Sequence, residues 1–211
     1  MKIENSYLNQ RRALGVLGIS LPFLVLGFGQ LGQNSPQWYY SISATFYTNA
    51  GPLFIAIMGS VGVFLISYIG YSRLDNIINK LSGLFALLIA FFPCGATELD
   101  YVGILHMPLK ASAIIHNASA AIFFAMLAFN ILFLFTKGSI GPTPQKIRRN
   151  RLYRTCGSGI LVFMAAQVAV SVLALTGPYT LLNEMMMLFC FGLAWLVKGE
   201  TFWKDKSEQN Q

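Results

Sequence analysis

The chain has 211 residues, of which 55% are apolar and 11% charged, and its mean hydropathy is +0.57. A soluble domain carries roughly 25% charged residues, so this composition excludes a soluble enzyme, a nucleic-acid-binding protein and a disordered regulator. The formal net charge is +7, and its meaning depends on where the basic residues fall along the chain.

Six stretches of the chain have the apolar character of membrane-spanning helices, which need about 20 residues to cross about 30 Å of hydrocarbon. In chain order they are 13–31, 51–71, 75–93, 108–135, 156–176 and 178–197, followed by a polar cytoplasmic tail at 198–211. Pro52 suits a first helical turn, and Asp75 is predicted to cap the third helix. We therefore expect a single all-α domain, an integral membrane six-helix bundle.

Basic residues are distributed unevenly among the predicted loops. Fourteen of the fifteen Lys and Arg fall on the side of the two termini, and only Lys110 falls on the other. Because cytoplasmic loops are enriched in Lys and Arg, both termini are predicted to be cytoplasmic, in the plasma (inner) membrane of a bacterium. The basic loop 146–154 is predicted to contact anionic lipid headgroups.

The opposite, outer side holds both histidines and three of the eight acids. His116 and Glu184 are predicted to lie about 12 Å and about 9 Å inside helices four and six. An ionisable group at such a depth needs a partner or a wet cavity. Two interpretations stay open. One is a functional pocket with a His116–Glu184 hydrogen bond. The other is a structural role, in which His116 binds Gln167 or a helix-five carbonyl and Glu184 caps helix six.

The first outer loop, 37–48, is uncharged, rich in aromatic residues and alternates in the manner of a strand. Trp and Tyr favour the headgroup level, so the segment is predicted to be an interfacial loop or short hairpin. A second interpretation directs the hydroxyl groups of Ser41, Ser43 and Tyr47 towards the predicted pocket.

The polar residues of the outer side define the candidate site. The catalytic candidates are His116, as a general base, with Glu184 and Ser43. The further ligand-binding candidates are Ser41, Tyr47, His106, Glu98 and Asp100. Two histidines and no CxxC or HExxH motif are too few ligands for zinc, so we predict no metal and no cofactor.

Short motifs along the chain resemble the DRAM-type six-helix membrane family, which includes autophagy modulators and proteins of GPI-anchor lipid remodelling, or a bacterial relative of it. They are SISAT (41–45), LFIAIM (53–58), NKLSGL (79–84), HNASAA (116–121), NE (183–184) and FGLAW (191–195). The resemblance implies a six-helix bundle with cytoplasmic termini, and polar residues at Ser43, His116 and Glu184.

Three functions are compatible with this sequence. The leading expectation is an integral membrane protein whose outer-leaflet pocket binds a lipid or another amphiphile, with membrane lipids as its partners and no nucleic acid. The alternative is a lipid-modifying enzyme, a hydrolase or acyl transferase, in which His116 acts with Glu184. The second alternative is a structural or regulatory membrane subunit.

Overall fold

The computed structural model describes residues 2–35, 38–137 and 143–203. Within them lie six α-helices, the number that the sequence predicts: α1 (Lys2–Gly29), α2 (Gly51–Ser67), α3 (Arg73–Phe91), α4 (Leu109–Phe129), α5 (Pro144–Val172) and α6 (Tyr179–Lys198). A 3-10 helix (Ser43–Tyr47) precedes α2, a π-helical turn (Asn130–Leu134) extends α4, and a hairpin of β1 (Tyr101–Val102) and β2 (Met107–Pro108) precedes α4.

The six helices form a closed ring in which sequence neighbours are also spatial neighbours. Each helix packs against the next from α1 to α6, and α6 packs against α1 to close the ring. The α1–α2, α3–α4 and α5–α6 connections lie at one end, which we call the outer end after the side on which the charge count places it. The other end is called the basic end.

Helix length and surface chemistry both suit a lipid environment. Five of the helices described are long and apolar enough to cross a membrane, whereas α2 has 17 residues and is about 25 Å long at about 1.5 Å per residue. Large apolar side chains are exposed around the bundle, including Phe23 (61%), Ile114 (68%) and Val172 (77%). Water-soluble monomers rarely expose apolar surface so extensively.

Glycines set the closest approaches between helices. A Cβ added at Gly83 would lie 2.5 Å from the Gly62 carbonyl oxygen, and one added at Gly192 would lie 2.6 Å from the Gly15 carbonyl oxygen. The backbones of α2 and α3, and of α1 and α6, therefore touch directly, as small residues permit in membrane helix pairs.

The turn between α2 and α3 is longer than predicted and is capped by a different residue. Helix α2 ends at Ser67 rather than at residue 71, and Asp75 is not the N-cap of α3. The N-cap is Ser72, whose hydroxyl accepts from the Asp75 amide while the Asp75 carboxylate accepts from the Ser72 amide. This capping box satisfies two amides that the start of a helix leaves unpaired.

The basic segment 146–154 is helical, so its description as a loop is wrong. Thr143 caps the helix by accepting from the Lys146 amide, and Pro144 occupies the first turn. Helix α5 therefore begins twelve residues before the predicted residue 156. A Thr-Pro pair is a recognised helix start, and the apolar pattern alone concealed it.

The first outer loop forms no hairpin in its described residues. It turns through the 3-10 helix Ser43–Tyr47, whose buried residues are Ser43, Ala44 and Thr45. The Thr45 hydroxyl donates to the Ile42 carbonyl oxygen at 2.6 Å. These local hydrogen bonds compete with strand pairing, which explains why the alternating pattern does not produce a strand.

Candidate functional site: a cleft between α4, α5 and α6

Helix α5 packs closely along only half of its length. Its buried residues are Arg149, Tyr153, Cys156, Gly157 and Ile160, and no residue from 161 to 172 is buried. At the closest point a Cβ on Gly157 would overlap the Leu132 side chain. Towards the outer end α5 has no buried residue, and a cleft of about 580 Å³ lies between α4, α5 and α6.

One face of α4 forms a long wall of this cleft. Its lining residues are Ala113, His116, Asn117, Ala120, Ala121 and Phe124. Their spacing of three and four residues places them on a single helical stripe. Met164 and Val168 of α5 and Met187 of α6 add apolar surface. Small and apolar side chains therefore line most of the cleft, and the polar groups are few.

Glu184 joins α6 to the first outer loop. Its Oε2 atom accepts a hydrogen bond from the Ile42 amide at 2.6 Å, and Ser43 also hydrogen-bonds to the carboxylate. The Ser41 hydroxyl accepts from the Ala44 amide at 3.1 Å. The carboxylate thus caps the start of the 3-10 helix, where amides lack backbone partners. A second, apolar cavity of about 40 Å³ lies beside the same carboxylate.

His116 is held by the backbone that follows α3. Its Nδ1 atom lies 2.7 Å from the Phe92 carbonyl oxygen. One helical turn earlier, the Ser112 hydroxyl donates to the Pro93 carbonyl oxygen at 2.8 Å. Carbonyls at a helix end have no intrahelical partner, and these two side chains of α4 supply the missing donors.

A polar network links α5 to α6 at the edge of the cleft. The Gln167 amide donates to the Thr180 hydroxyl at 3.0 Å, and the Asn183 amide donates to the Gln167 side-chain oxygen at 3.1 Å. The Ser171 hydroxyl donates to the Gln167 carbonyl oxygen at 3.0 Å. These polar side chains are thus used within the protein.

Asn117 differs from the other polar residues of the cleft because its side chain has no hydrogen-bond partner among the residues described. It is exposed and lies about 12 Å along α4 from Leu109. An unpartnered amide on an otherwise apolar helix surface is costly in hydrocarbon. Its position in the cleft is therefore suited to a polar ligand group.

The structure brings together four of the eight predicted site residues. Ser41, Ser43, His116 and Glu184 all line the cleft. The predicted hydrogen bond between His116 and Glu184 is not formed, because each side chain is held by a separate backbone group. Nor does His116 bind Gln167, whose side chain pairs with residues of α6.

The other four candidates do not line the cleft. The Tyr47 hydroxyl donates to the Cys94 carbonyl oxygen at 2.6 Å. His106 is exposed in the turn of the β1–β2 hairpin, has φ of 45° and stacks on Tyr101 with ring centroids 5.1 Å apart. The two acids of the α3–α4 connection are also exposed outside the cleft: Glu98 and Asp100.

The predictions omit Tyr40, Cys94, Asn117 and Thr180, which also line the cleft. The spacing from Ala113 to Phe124 gives a sequence signal for Asn117, since it places small and polar residues on one face. The others come from loops or helix ends, whose spatial neighbours are not evident from a local pattern.

Burial raises the pKa of Tyr40 and Tyr47 to about 12 and the pKa of the Cys94 thiol to about 11. All three groups are therefore protonated at neutral pH. Tyr47 remains a hydrogen-bond donor, and Cys94 is not a thiolate nucleophile. Within the described residues no group of three or more His, Cys, Asp and Glu is arranged to hold a metal ion.

The fold and the cleft define a class of protein: an apolar ring of six helices with a partly polar cleft at one end. No protein-family model, curated protein or solved structure matches the chain. The resemblance to the DRAM-type family remains a prediction.

Proposed function

We propose that the chain is an integral membrane protein with both termini on the cytoplasmic side, and that its cleft binds a lipid or another amphiphile from the outer leaflet. The apolar helices and exposed apolar surface support membrane insertion. The concentration of Lys and Arg at the basic end supports the orientation.

The observation that carries the binding proposal is the combination of a cleft of about 580 Å³ with apolar walls and a few polar groups. Ligand sites in proteins have volumes of about 300–1,000 Å³ and this kind of lining. The polar groups lie in the outer part, whereas Phe124 and Met164 extend the apolar wall towards the bundle centre. This arrangement matches a molecule with one polar end and one apolar end.

The two alternatives have weaker support. A lipid-modifying enzyme would require an activated base, and His116 has a backbone carbonyl rather than a carboxylate as its observed partner. A purely structural role explains the backbone contacts of His116 and Glu184. It does not explain an open cleft or the unpartnered Asn117.

The binding proposal is tested by filling the cleft. Ala121 is exposed and lines the cleft, so Ala121→Trp should place an indole where the ligand lies without disturbing the buried core. Ala56→Trp is the matched control, since Ala56 is exposed on α2 and does not line the cleft. Each protein is purified in detergent, and its retained lipid is counted by native mass spectrometry.

We expect the wild type and the Ala56→Trp protein to retain lipid, and the Ala121→Trp protein to lose most of it. Circular dichroism and the thermal midpoint should show that both variants are folded. Equal retention by Ala121→Trp, or no retained lipid in the wild type, would contradict the proposed function.

A further inference from the structure

We infer that the ligand's polar group donates hydrogen bonds, as a hydroxyl, an amide N–H or an ammonium does, and that it is not a phosphate or carboxylate. This inference rests on the proposed function and specifies the class of amphiphile. Three observations on the cleft support it. The Nδ1–H group of His116 is already hydrogen-bonded to the backbone, the Glu184 carboxylate accepts hydrogen bonds, and no cationic residue lines the cleft.

The contact between His116 and Phe92 determines which ring nitrogen carries hydrogen. A carbonyl oxygen only accepts, so the Nδ1 atom at 2.7 Å must carry a hydrogen. In the neutral imidazole the other nitrogen, Nε2, is then an acceptor. His116 lines the cleft but is buried, with 3% of its surface exposed, so what its ring can offer a ligand there is a hydrogen-bond acceptor.

Glu184 adds acceptor capacity beside it. A carboxylate has two oxygens with about four acceptor positions and no donor. Its Oε2 atom accepts from the Ile42 amide, and Ser43 supplies a further contact. The Ser43 contacts come from both its amide and its hydroxyl. Glu184 is partly exposed and lines the cleft, so about one of its four acceptor positions remains for a ligand.

Some of the donors around the cleft are used within the protein. The Gln167 amide donates to Thr180, and the Ser171 hydroxyl donates to the Gln167 carbonyl. Asn117 is the polar side chain of the cleft that the described residues leave without a partner, and an amide both donates and accepts. The Ser41 and Thr180 hydroxyls accept in the contacts described, and their hydrogens are further donors, so the head-group assignment rests on His116, Glu184 and the absence of cations.

The charge of the cleft agrees with this assignment. No Lys or Arg is among its lining residues, and its one acidic residue is Glu184. An anionic head group would find no cation to pair with in the cleft, and the ionised form of Glu184 would repel it. Lys110 is exposed one turn from Ala113 towards the outer end and does not line the cleft.

The test measures protection of a cysteine in the cleft. Val168 of α5 lines the cleft and is 63% exposed, whereas Val162 on the same helix is also 63% exposed and does not line it. Val168→Cys and the control Val162→Cys are made with the three native cysteines replaced by alanine. The proteins are placed in phosphatidylcholine nanodiscs, because that head group has no N–H or O–H donor, and are alkylated with N-ethylmaleimide.

Four amphiphiles with the same oleyl-length chain are compared. Monoolein and oleylamine carry donors, methyl oleate carries none, and oleate is anionic at pH 8. We expect the two donor compounds to slow alkylation of the Val168→Cys protein at about tenfold lower concentration than the other two, since one hydrogen bond to a charged group accounts for about that factor. Alkylation of the Val162→Cys control should be unchanged.

Two substitutions connect the effect to named side chains. Asn117→Leu and Glu184→Gln should each reduce protection by the donor compounds several-fold and leave methyl oleate unchanged. Ala118→Leu is the control for the first, because Ala118 is exposed beside Asn117 and does not line the cleft. Gln at residue 184 retains an oxygen that can accept from Ile42, so the loop contact is preserved.

The outcomes separate the two proposals. If oleate or methyl oleate protects as strongly as monoolein, the head-group inference is overturned while amphiphile binding stands. If no compound protects the Val168→Cys protein, both proposals fail. Protection that survives both Asn117→Leu and Glu184→Gln overturns the assignment of the head group to these side chains.

Discussion

The two halves of the bundle are built from the same helices but are packed very differently. At the basic end the rings of Tyr68 and Phe135 contact Trp195 edge to face, with centroids 5.2 Å and 5.0 Å apart. Phe135 also contacts Tyr153 of α5 at 5.4 Å. At the outer end α5 has no buried residue, and the space beside it is the cleft.

This difference suggests a division between stability and binding. Apolar burial and aromatic contacts stabilise a fold, and in α5 they are confined to the basic half. The outer half of α5 is held by the Gln167 network and by its continuity with the packed half. Substitutions in the basic half should therefore reduce stability, whereas many in the cleft should change binding alone.

The largest loss of stability is expected from a substitution at the contact between α5 and the end of the α4 segment. A side chain at Gly157 would overlap Leu132, and even its Cβ would lie 3.3 Å from the Leu132 amide nitrogen. Gly157→Val should therefore force the helices apart and reduce the free energy of unfolding by about 3 kcal/mol. SDS titration in mixed micelles measures the loss.

Gly59→Val is the matched control for this substitution, because nothing lies within 4 Å of an added Cβ at Gly59. It should change the unfolding free energy by less than about 1 kcal/mol. Equal effects of the two substitutions would mean that the basic half is not closely packed at Gly157.

The sequence predicts the helical content of the fold well, because a long apolar run can satisfy its backbone in lipid only as a helix. It also predicts that His116 and Glu184 lie at similar depth, and the structure places both in one cleft. The helix ends are predicted less accurately, because the caps at Ser72 and Thr143 depend on only one or two polar residues.

The partners of the site residues could not be predicted. His116 and Glu184 bind the backbone groups of Phe92 and Ile42, and every residue carries such groups, so no sequence motif identifies these two. The close contact of Gly157 with Leu132 and the cleft beyond it depend on packing between distant segments. The cleft was therefore accessible only from the three-dimensional arrangement.

The next largest loss of stability is expected at one of two asparagines that lie on the same continuous helical segment. The Asn130 amide donates to the Asn79 side-chain oxygen at 2.8 Å, and both residues are buried in the basic half. Asn130→Leu should leave that oxygen without its donor and reduce the unfolding free energy by about 2 kcal/mol. Asn117→Leu, in the cleft, should cause no loss because Asn117 has no partner among the described residues. A similar loss in both would contradict the division between the halves.

The smallest loss of stability is expected from removing a single hydrogen bond at the outer end. Tyr47→Phe removes the donor to the Cys94 carbonyl oxygen and should reduce the unfolding free energy at pH 7 by about 1 kcal/mol. Tyr179→Phe is the control, since Tyr179 is 47% exposed and its hydroxyl has no partner among the described residues. Tyr179→Phe should leave the unfolding free energy unchanged.

The contribution of the Tyr47 hydroxyl to the unfolding free energy should also depend on pH. Burial raises the pKa of Tyr47 from 10 to about 12, so the folded protein binds that proton more tightly than the unfolded chain. The stabilisation is then complete below pH 10 and is lost as the pH rises towards 12. Thermal unfolding at pH 7, 9 and 11 should show the difference between wild type and Tyr47→Phe narrowing at pH 11. A difference that stays constant would mean that the hydroxyl is not the buried donor that holds the α3 end against the first outer loop.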